Sequence, residues 1–360
     1  MDAPIKSTPI LSSGLKELID RADSIYREHF DGSVWFGRCI FLSWYCERGT
    51  CTFCFRSVTK SHIDEPSKAR RSLASIIAEA LLIKGLGWRI EFLTGGYGSC
   101  SNEDIVRYTK LVSQVIGDGM WVNLGELGVS MLEAFKPYVH GIVSSIETVE
   151  PKLHMRVCPD KPIRPYIDMI RESKEMGFEQ GMTVIIGLGE NRDDFSLLKQ
   201  FIEDHGISRI TVYALRPVRH TPFEHGPSPE EVAWWVANLR INFPELEIIV
   251  GSARYRIPEI SLVLKAGANA ITKLPGTKMF NTEDGRRVEE EIKKAGRTFI
   301  STFTSENVKG MADWEGMIRK LDLTENEKEE VRISLYHYLD AMETRGKALF
   351  SDGDPDGCKR

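Results

Sequence analysis

The chain has no uninterrupted apolar run long enough to cross a bilayer, which argues against a membrane-spanning segment. It has no excess of basic residues: the formal net charge over 360 residues is −5, so nothing global points to nucleic acid. Its first residues, Met1-Asp-Ala-Pro-Ile-Lys6, lack the apolar stretch of a secretory leader, and none is expected. Low-complexity sequence is confined to the acidic, glycine-rich stretch 351–360, expected to be a mobile tail. Cysteine is sparse, with seven residues in the chain, and in an intracellular protein that number argues for thiolate chemistry over disulfides. These absences lead to the expectation of a cytoplasmic, enzyme-sized protein with no nucleic-acid or membrane partner.

Three of those cysteines are concentrated in one place. The stretch Phe41-Leu-Ser-Trp-Tyr-Cys46-Glu-Arg-Gly-Thr-Cys51-Thr-Phe-Cys54-Phe55 sets Cys46, Cys51 and Cys54 in a C-x4-C-x2-C spacing on a glycine-containing loop. Soft thiolates select zinc, copper(I) or iron–sulfur clusters. A structural zinc site closes with four protein ligands, so three cysteines without an adjacent fourth suggest an open, reactive centre. The alternative at this level is three unrelated buried cysteines, since free cysteine packs as a small core residue.

Around that loop the chain alternates. Apolar runs over 34–45, 88–93, 120–124, 141–146, 181–187, 207–213, 246–250 and 270–273 read as strands. Amphipathic or apolar segments between them, over 67–84, 103–116, 129–136, 163–176, 192–204, 228–241 and 258–266, read as helices, with 286–295 as the last. Eight such units predict an α/β fold, a TIM-type (β/α)8 barrel of parallel strands. A capped helix over 12–30 precedes it, and a helical extension follows over 305–350, its final helix opened by the capping-box pair Thr324 and Glu327. The expected organisation is an N-terminal segment 1–33, a barrel over 34–300, and a C-terminal extension and tail over 301–360.

Barrel enzymes place chemistry on loops at the carboxyl ends of the strands. Those positions here carry the cysteines, Gly95-Gly96-Tyr97-Gly98, Asn123 and Glu126, Ser144 to Thr148, Gly187-Leu-Gly-Glu190, Tyr213-Ala-Leu-Arg216-Pro, and Gly251-Ser-Ala-Arg254-Tyr-Arg256. Glycines there let a polar cofactor approach the backbone. Arg216, Arg219, Arg254 and Arg256 either bind an acidic group bidentately or stand solvated. His154, His220 and His225 are not spaced as a metal set, Asp193-Asp194 reads as a helix N-terminus, and Lys68, Arg70 and Arg71 read as a solvated face.

On these residues the sequence resembles the radical S-adenosylmethionine (SAM) superfamily, in its biotin synthase and lipoyl synthase-like branch, over residues 35–300. The first cysteine gap is one residue longer than the superfamily's commonest motif. The resemblance implies that Cys46, Cys51 and Cys54 ligate three irons of a [4Fe–4S] cluster whose fourth iron chelates SAM. Phe53 would contact the adenine, and Gly95 and Gly96 the SAM amino group, with Tyr97 standing where an acidic residue is common. Glu147 resembles a ribose-binding carboxylate, while Ile185 and Gly187 resemble a strand-five motif that packs on adenine. The implied chemistry is reductive cleavage of SAM to a 5′-deoxyadenosyl radical that abstracts hydrogen from unactivated carbon, with a ferredoxin or flavodoxin as electron donor.

Arg254 matches the arginine that holds the second, [2Fe–2S] cluster of biotin synthase, but Asn123 and Met182 or Thr183 stand at two of its cysteine positions, which argues against biotin synthase proper. Cys39, Cys100, Cys158 and Cys358 remain, and their number would suit an auxiliary iron–sulfur cluster donating sulfur. Cys100 and Cys158 are expected to be able to approach each other, and Cys39 reads as a core residue. Ser43-Trp-Tyr-Cys46 and Arg156-Val-Cys158-Pro resemble archaeal biotin synthase-like proteins. That likeness implies a sulfur-inserting, lipoyl synthase-like component with a second synthase subunit or a lipoyl-carrier protein as partner. The alternatives are a radical SAM enzyme of methylation, rearrangement or ring assembly in cofactor biosynthesis, and a non-enzymatic zinc-binding protein.

Overall fold

The structure is a computed structural model that describes residues 11–351. The acidic tail with Cys358 lies outside the described residues. Eight parallel strands close on themselves: β1 (Ser33–Phe41), β2 (Arg89–Thr94), β3 (Trp121–Asn123), β4 (Gly141–Glu147), β5 (Glu179–Ile186), β6 (Arg209–Ala214), β7 (Glu247–Gly251) and β8 (Ala270–Thr272). Closure is made by β1, which pairs with β8 through Trp35 and Ala270 and with β2 through Gly37 and Arg89. The predicted TIM-type barrel is therefore the fold. A two-residue strand, β9 (Thr298–Phe299), adds to the start of β1 and was not foreseen, being too short to show a pattern.

The strands form because their residues are apolar on both sides. One side meets the helices and the other fills the lumen, which is the condition of a parallel sheet. The base of the lumen is packed by Trp35, Ile249 and Ala270, and by Trp121, whose ring occupies the space that side chains at Gly141 and Gly181 would need. Arg209 lies over the Trp121 ring at 4.0 Å and pairs with Glu247. The barrel is thus closed below and open only at the carboxyl ends of its strands.

The helix Ser13–His29 starts on Ser12 and buries Ile19, Ala22 and Tyr26. The Tyr26 hydroxyl donates to the Ser33 carbonyl at 2.9 Å, fixing this helix at the amino end of β1, opposite the mouth. The last helix, Glu325–Ser351, carries the expected reciprocal cap: Thr324 N–H donates to Glu327 Oε2 at 2.9 Å and Glu327 N–H to Thr324 Oγ1 at 3.3 Å. Its Val331, Leu335, Leu339 and Met342 are buried, and it packs against the helix Leu73–Gly85. That helix is apolar nearly all round because it is sandwiched between barrel and extension.

Several sequence-derived bounds are corrected. β1 ends at Phe41, four positions before 45, because Leu42 turns into the core while Ser43 pairs across to Arg70. The helix expected from 67 starts at Leu73 behind its cap Ser72, and the preceding residues form a 3₁₀ turn, Pro66–Ala69. Of the three basic residues expected on a solvated face, Lys68 and Arg70 are exposed and Arg71 is not. Arg70 Nε donates to the Ser99 carbonyl, and Arg71 pairs with the buried Glu79. A helix absent from the sequence reading, Pro151–Val157, begins on a proline and an accepting Glu150.

Candidate active site

The cysteine loop leaves β1 at the open end and is tied down along its length. Glu47 N–H donates to the Tyr97 carbonyl at 2.8 Å, and Thr52 N–H to the Val157 carbonyl at 2.9 Å. Lys60 Nζ reaches the Arg48 carbonyl at 3.1 Å and also the Glu47 carbonyl. Arg48 forms a two-pronged pair with Glu126, after β3, and stacks over the Tyr97 ring at 3.8 Å. Tyr97 in turn shares its hydroxyl with Glu126 and Tyr166. Burial leads the causes that push the Tyr97 phenol up, so it remains a neutral hydrogen-bonding group.

Gly96 is where the second strand-end loop meets the first. A Cβ there would stand 1.9 Å from the Tyr45 carbonyl oxygen and 2.7 Å from Cys46 Cα, both backbone atoms that cannot swing aside. Gly96→Ala is therefore expected to displace the cysteine loop at an overpacking cost of about 1–3 kcal/mol. Iron retained after anaerobic reconstitution and the thermal midpoint would both fall; an unchanged iron content would show that the close approach is dispensable.

Cys46, Cys51 and Cys54 are all partly buried. The Cys51 thiol is held by Cys158, a hydrogen bond that lowers the Cys51 pKa and, with burial, raises that of Cys158. Burial raises the Cys54 thiol against the opposing Arg56. Among the described residues no three Cys, His, Asp or Glu side chains stand close enough to hold a metal ion. The surroundings nevertheless fit a thiolate-bound group. The Thr50 hydroxyl and Arg56 Nε, flanking these cysteines, are buried without hydrogen-bond partners, polar atoms that a charged group at the loop would answer.

The other strand ends bring most of the sequence-selected residues to the same mouth. Phe53 and Cys51 pack with Ile185 at the end of β5 in one apolar cluster that also holds Leu153, Val157, Cys158 and Leu215. Gly187 takes φ +107°, and its N–H, with those of Leu188 and Gly189, donates to Glu190 at 2.6, 2.9 and 3.1 Å. Glu147 ends β4 at φ +65°, in the left-handed region that β-strand residues avoid, and pairs with Lys161 at 2.7 Å. Lys161 is a site residue the sequence reading missed. Burial alone would depress it, but Glu147, Cys158 and Cys51 outweigh burial and raise it.

Arg254 is not gathered into this group: it is exposed and paired with Asp284. Arg216 and Arg219 are exposed, whereas Arg256 is buried against Glu259 at 2.6 Å. His154 is satisfied by the Thr148 and Lys161 carbonyls at 3.2 and 2.8 Å, a structural role. Cys100 and Cys158 do not share surroundings as anticipated. Cys100 stands by Ser99, Arg70 and Asp104, while Cys158 lies against Cys51. Cys39, expected in the core, is buried and donates its thiol to Glu91 at 2.6 Å.

The family description "Radical SAM superfamily" matches residues 42–202, and "Biotin and Thiamin Synthesis associated domain" matches residues 211–297. An uncharacterized protein of Methanocaldococcus jannaschii is 36% identical over 301 residues, 81% of this chain and 82% of the relative. Biotin synthase of Clostridium perfringens is 25% identical over 271 residues, 72% of this chain and 83% of the enzyme. Among solved structures, methylornithine synthase superposes with a TM-score of 0.68 at 20% identity, covering 86% of this chain and 93% of that one, a likeness of fold. No helix among the described residues is long and apolar enough to cross a membrane.

Proposed function

The chain belongs to the radical SAM superfamily, in its biotin synthase-like branch, and from that premise we propose that it functionalises an unactivated C–H bond of an organic substrate held in the barrel mouth, most specifically by sulfur insertion. The observation carrying the reading is that the cysteine loop from β1 meets the ends of β2, β4 and β5 at one opening. Cys46, Cys51 and Cys54 would hold a [4Fe–4S] cluster, which together with SAM would supply the one-electron chemistry that opens such bonds. The chain's own residues bind and orient. Phe53 and Ile185 offer an apolar wall for an adenine ring. Gly96 lies directly against Cys46, and Gly95 before it, beside Leu42 and Ser99, would with it offer backbone to the SAM amino group. Glu147, fixed by Lys161, presents a carboxylate to ribose hydroxyls, and Gly187 shapes the loop beneath. A ferredoxin- or flavodoxin-like carrier is the electron donor in this reading, and sulfur insertion adds a second subunit or lipoyl carrier.

One observation favours a second reading. Sulfur insertion from an auxiliary cluster needs several spare thiols together, yet Cys39, Cys100 and Cys158 sit in three different surroundings. That dispersal favours rearrangement, methylation or ring assembly. Reconstituted protein given dithionite and SAM under anaerobic conditions is expected to form 5′-deoxyadenosine; an intact, reducible cluster without SAM cleavage would sink the class. Iron and sulfide amounting to a single cluster per chain would sink sulfur donation from an auxiliary cluster and leave the second reading.

A further inference from the structure

Above the packed base of the barrel stands a buried polar group centred on Glu91. Glu91 on β2 is completely buried and accepts from the Cys39 thiol of β1 at 2.6 Å and from the Tyr213 hydroxyl of β6. Thr272 of β8 contacts the same carboxylate. Because β2 and β6 lie on opposite sides of β8 in the closed sheet, the Tyr213–Glu91 contact runs across the lumen. Lys273 follows directly on β8. Its Nζ lies 4.8 Å from the centre of the Tyr213 ring, 5.2 Å from Phe41 and 5.6 Å from Phe92. A side chain near β1, β2 and β6 at once can only point into the lumen.

Two features separate Lys273 from a structural lysine. Its backbone takes φ +66°, a conformation costly for a long side chain and found where surrounding structure imposes it for function. Part of its surface is exposed at the mouth, while its Nζ is enclosed by the rings of Phe41, Phe92 and Tyr213. Its polar contact is the Cys39 sulfur at 3.5 Å, and among the described residues no carboxylate lies within ion-pair distance of it. Glu147, the residue with positive φ at the end of β4, has its charge answered by Lys161. The charge of Lys273 is left for something that enters the mouth. Burial by itself would depress its pKa, but Cys39 and Glu91 outweigh burial and raise it, so the side chain remains an ammonium ion.

We propose that Lys273 anchors the carboxylate of a small organic acid, whose carbon skeleton lies against Phe41, Phe92 and Tyr213. A single ammonium backed by a buried glutamate suits one negative charge better than a phosphate dianion, which calls for arginines or several converging donors. The inference rests on the reading that substrate is handled in this mouth, and narrows it: a free acid fits Lys273, whereas an acyl group in amide linkage to a carrier protein would leave the ammonium unpaired.

The test is binding to the reconstituted full-length protein without reductant, followed by tryptophan fluorescence. The probes are hexanoate, octanoate and decanoate, the matching amides, and octyl phosphate. The acids should bind the wild type and weaken by about 10- to 100-fold in Lys273→Met, the range for losing a hydrogen bond to a charged group, while Lys273→Arg keeps most of the affinity. Amides should bind weakly and equally to both forms. Equal affinity of the acids for wild type and Lys273→Met overturns the proposal, as do amides matching acids, octyl phosphate exceeding them, or no acid binding. Circular dichroism checks that the variants are folded. A wild type that binds octanoate but never cleaves SAM overturns the functional reading instead, so the two failures are distinguishable.

Discussion

Replacing any one of Cys46, Cys51 and Cys54 with alanine is expected to abolish cluster retention and, with it, SAM cleavage to background. Each of the three thiolates would carry a separate iron. Among the described residues no other set of three Cys, His, Asp or Glu side chains is assembled to hold a metal in their place. Cys158 is the informative control. It touches Cys51, so by proximity it is the best candidate to replace a lost ligand. The motif reading makes it a neighbour that releases Cys51 when metal binds. Cys158→Ala should therefore retain most of the iron and most of the 5′-deoxyadenosine formed. Iron, sulfide and product measured across the four variants decide the matter. If Cys158→Ala lost its cluster while Cys46→Ala kept one, the ligand assignment would be wrong. Thermal melts separate ligand loss from unfolding, since cysteine to alanine in a half-buried loop removes little packing.

The barrel was legible because its strands are buried on both faces and so appear as apolar runs separated by helical segments. The same signal misled at the end of β1. Leu42, Trp44 and Tyr45 continue the apolar run, but Leu42 is buried while Trp44 is nearly half exposed, at 46%, with its ring stacked on Phe41. Composition does not distinguish a strand from an aromatic-rich loop; the Ser43–Arg70 pairing does, and it is a tertiary fact. In the site, the cysteine spacing and the glycine pairs were readable because few residue types can perform those roles. Lys161 and Lys273 were not, because a single lysine carries no pattern. Nor does sequence reveal that Glu147 and Lys273 adopt positive φ, a state normally advertised by glycine. Glu147 ends β4 and Lys273 directly follows β8, both on the open side of the barrel, where strain serves to aim a side chain.

The second large effect is expected at Lys161. Its side chain and that of Glu147 are 7% and 12% exposed, with Nζ 2.7 Å from Oε1, so the pair is almost free of solvent screening. Removing one partner of a buried pair leaves the other charge uncompensated, at a cost of about 3–5 kcal/mol. Lys161→Met should lower folding stability by that amount in urea denaturation, with little change in the slope. The double variant Lys161→Met with Glu147→Gln should recover most of the loss, because no charge is then left buried without a partner. The sign with pH follows from the raised lysine. The stabilisation is fully present below the unfolded lysine pKa, about 10.4, and is lost as pH rises through the higher folded value. The deficit of the single variant should therefore be complete at neutral pH and narrow only in strong alkali. Affinity for SAM should fall with it, since a Glu147 freed from Lys161 no longer holds its carboxylate at the mouth. A destabilisation below about 1 kcal/mol, the range of exposed pairs, would mean that solvent reaches this pair and that Glu147 is not held in place by Lys161.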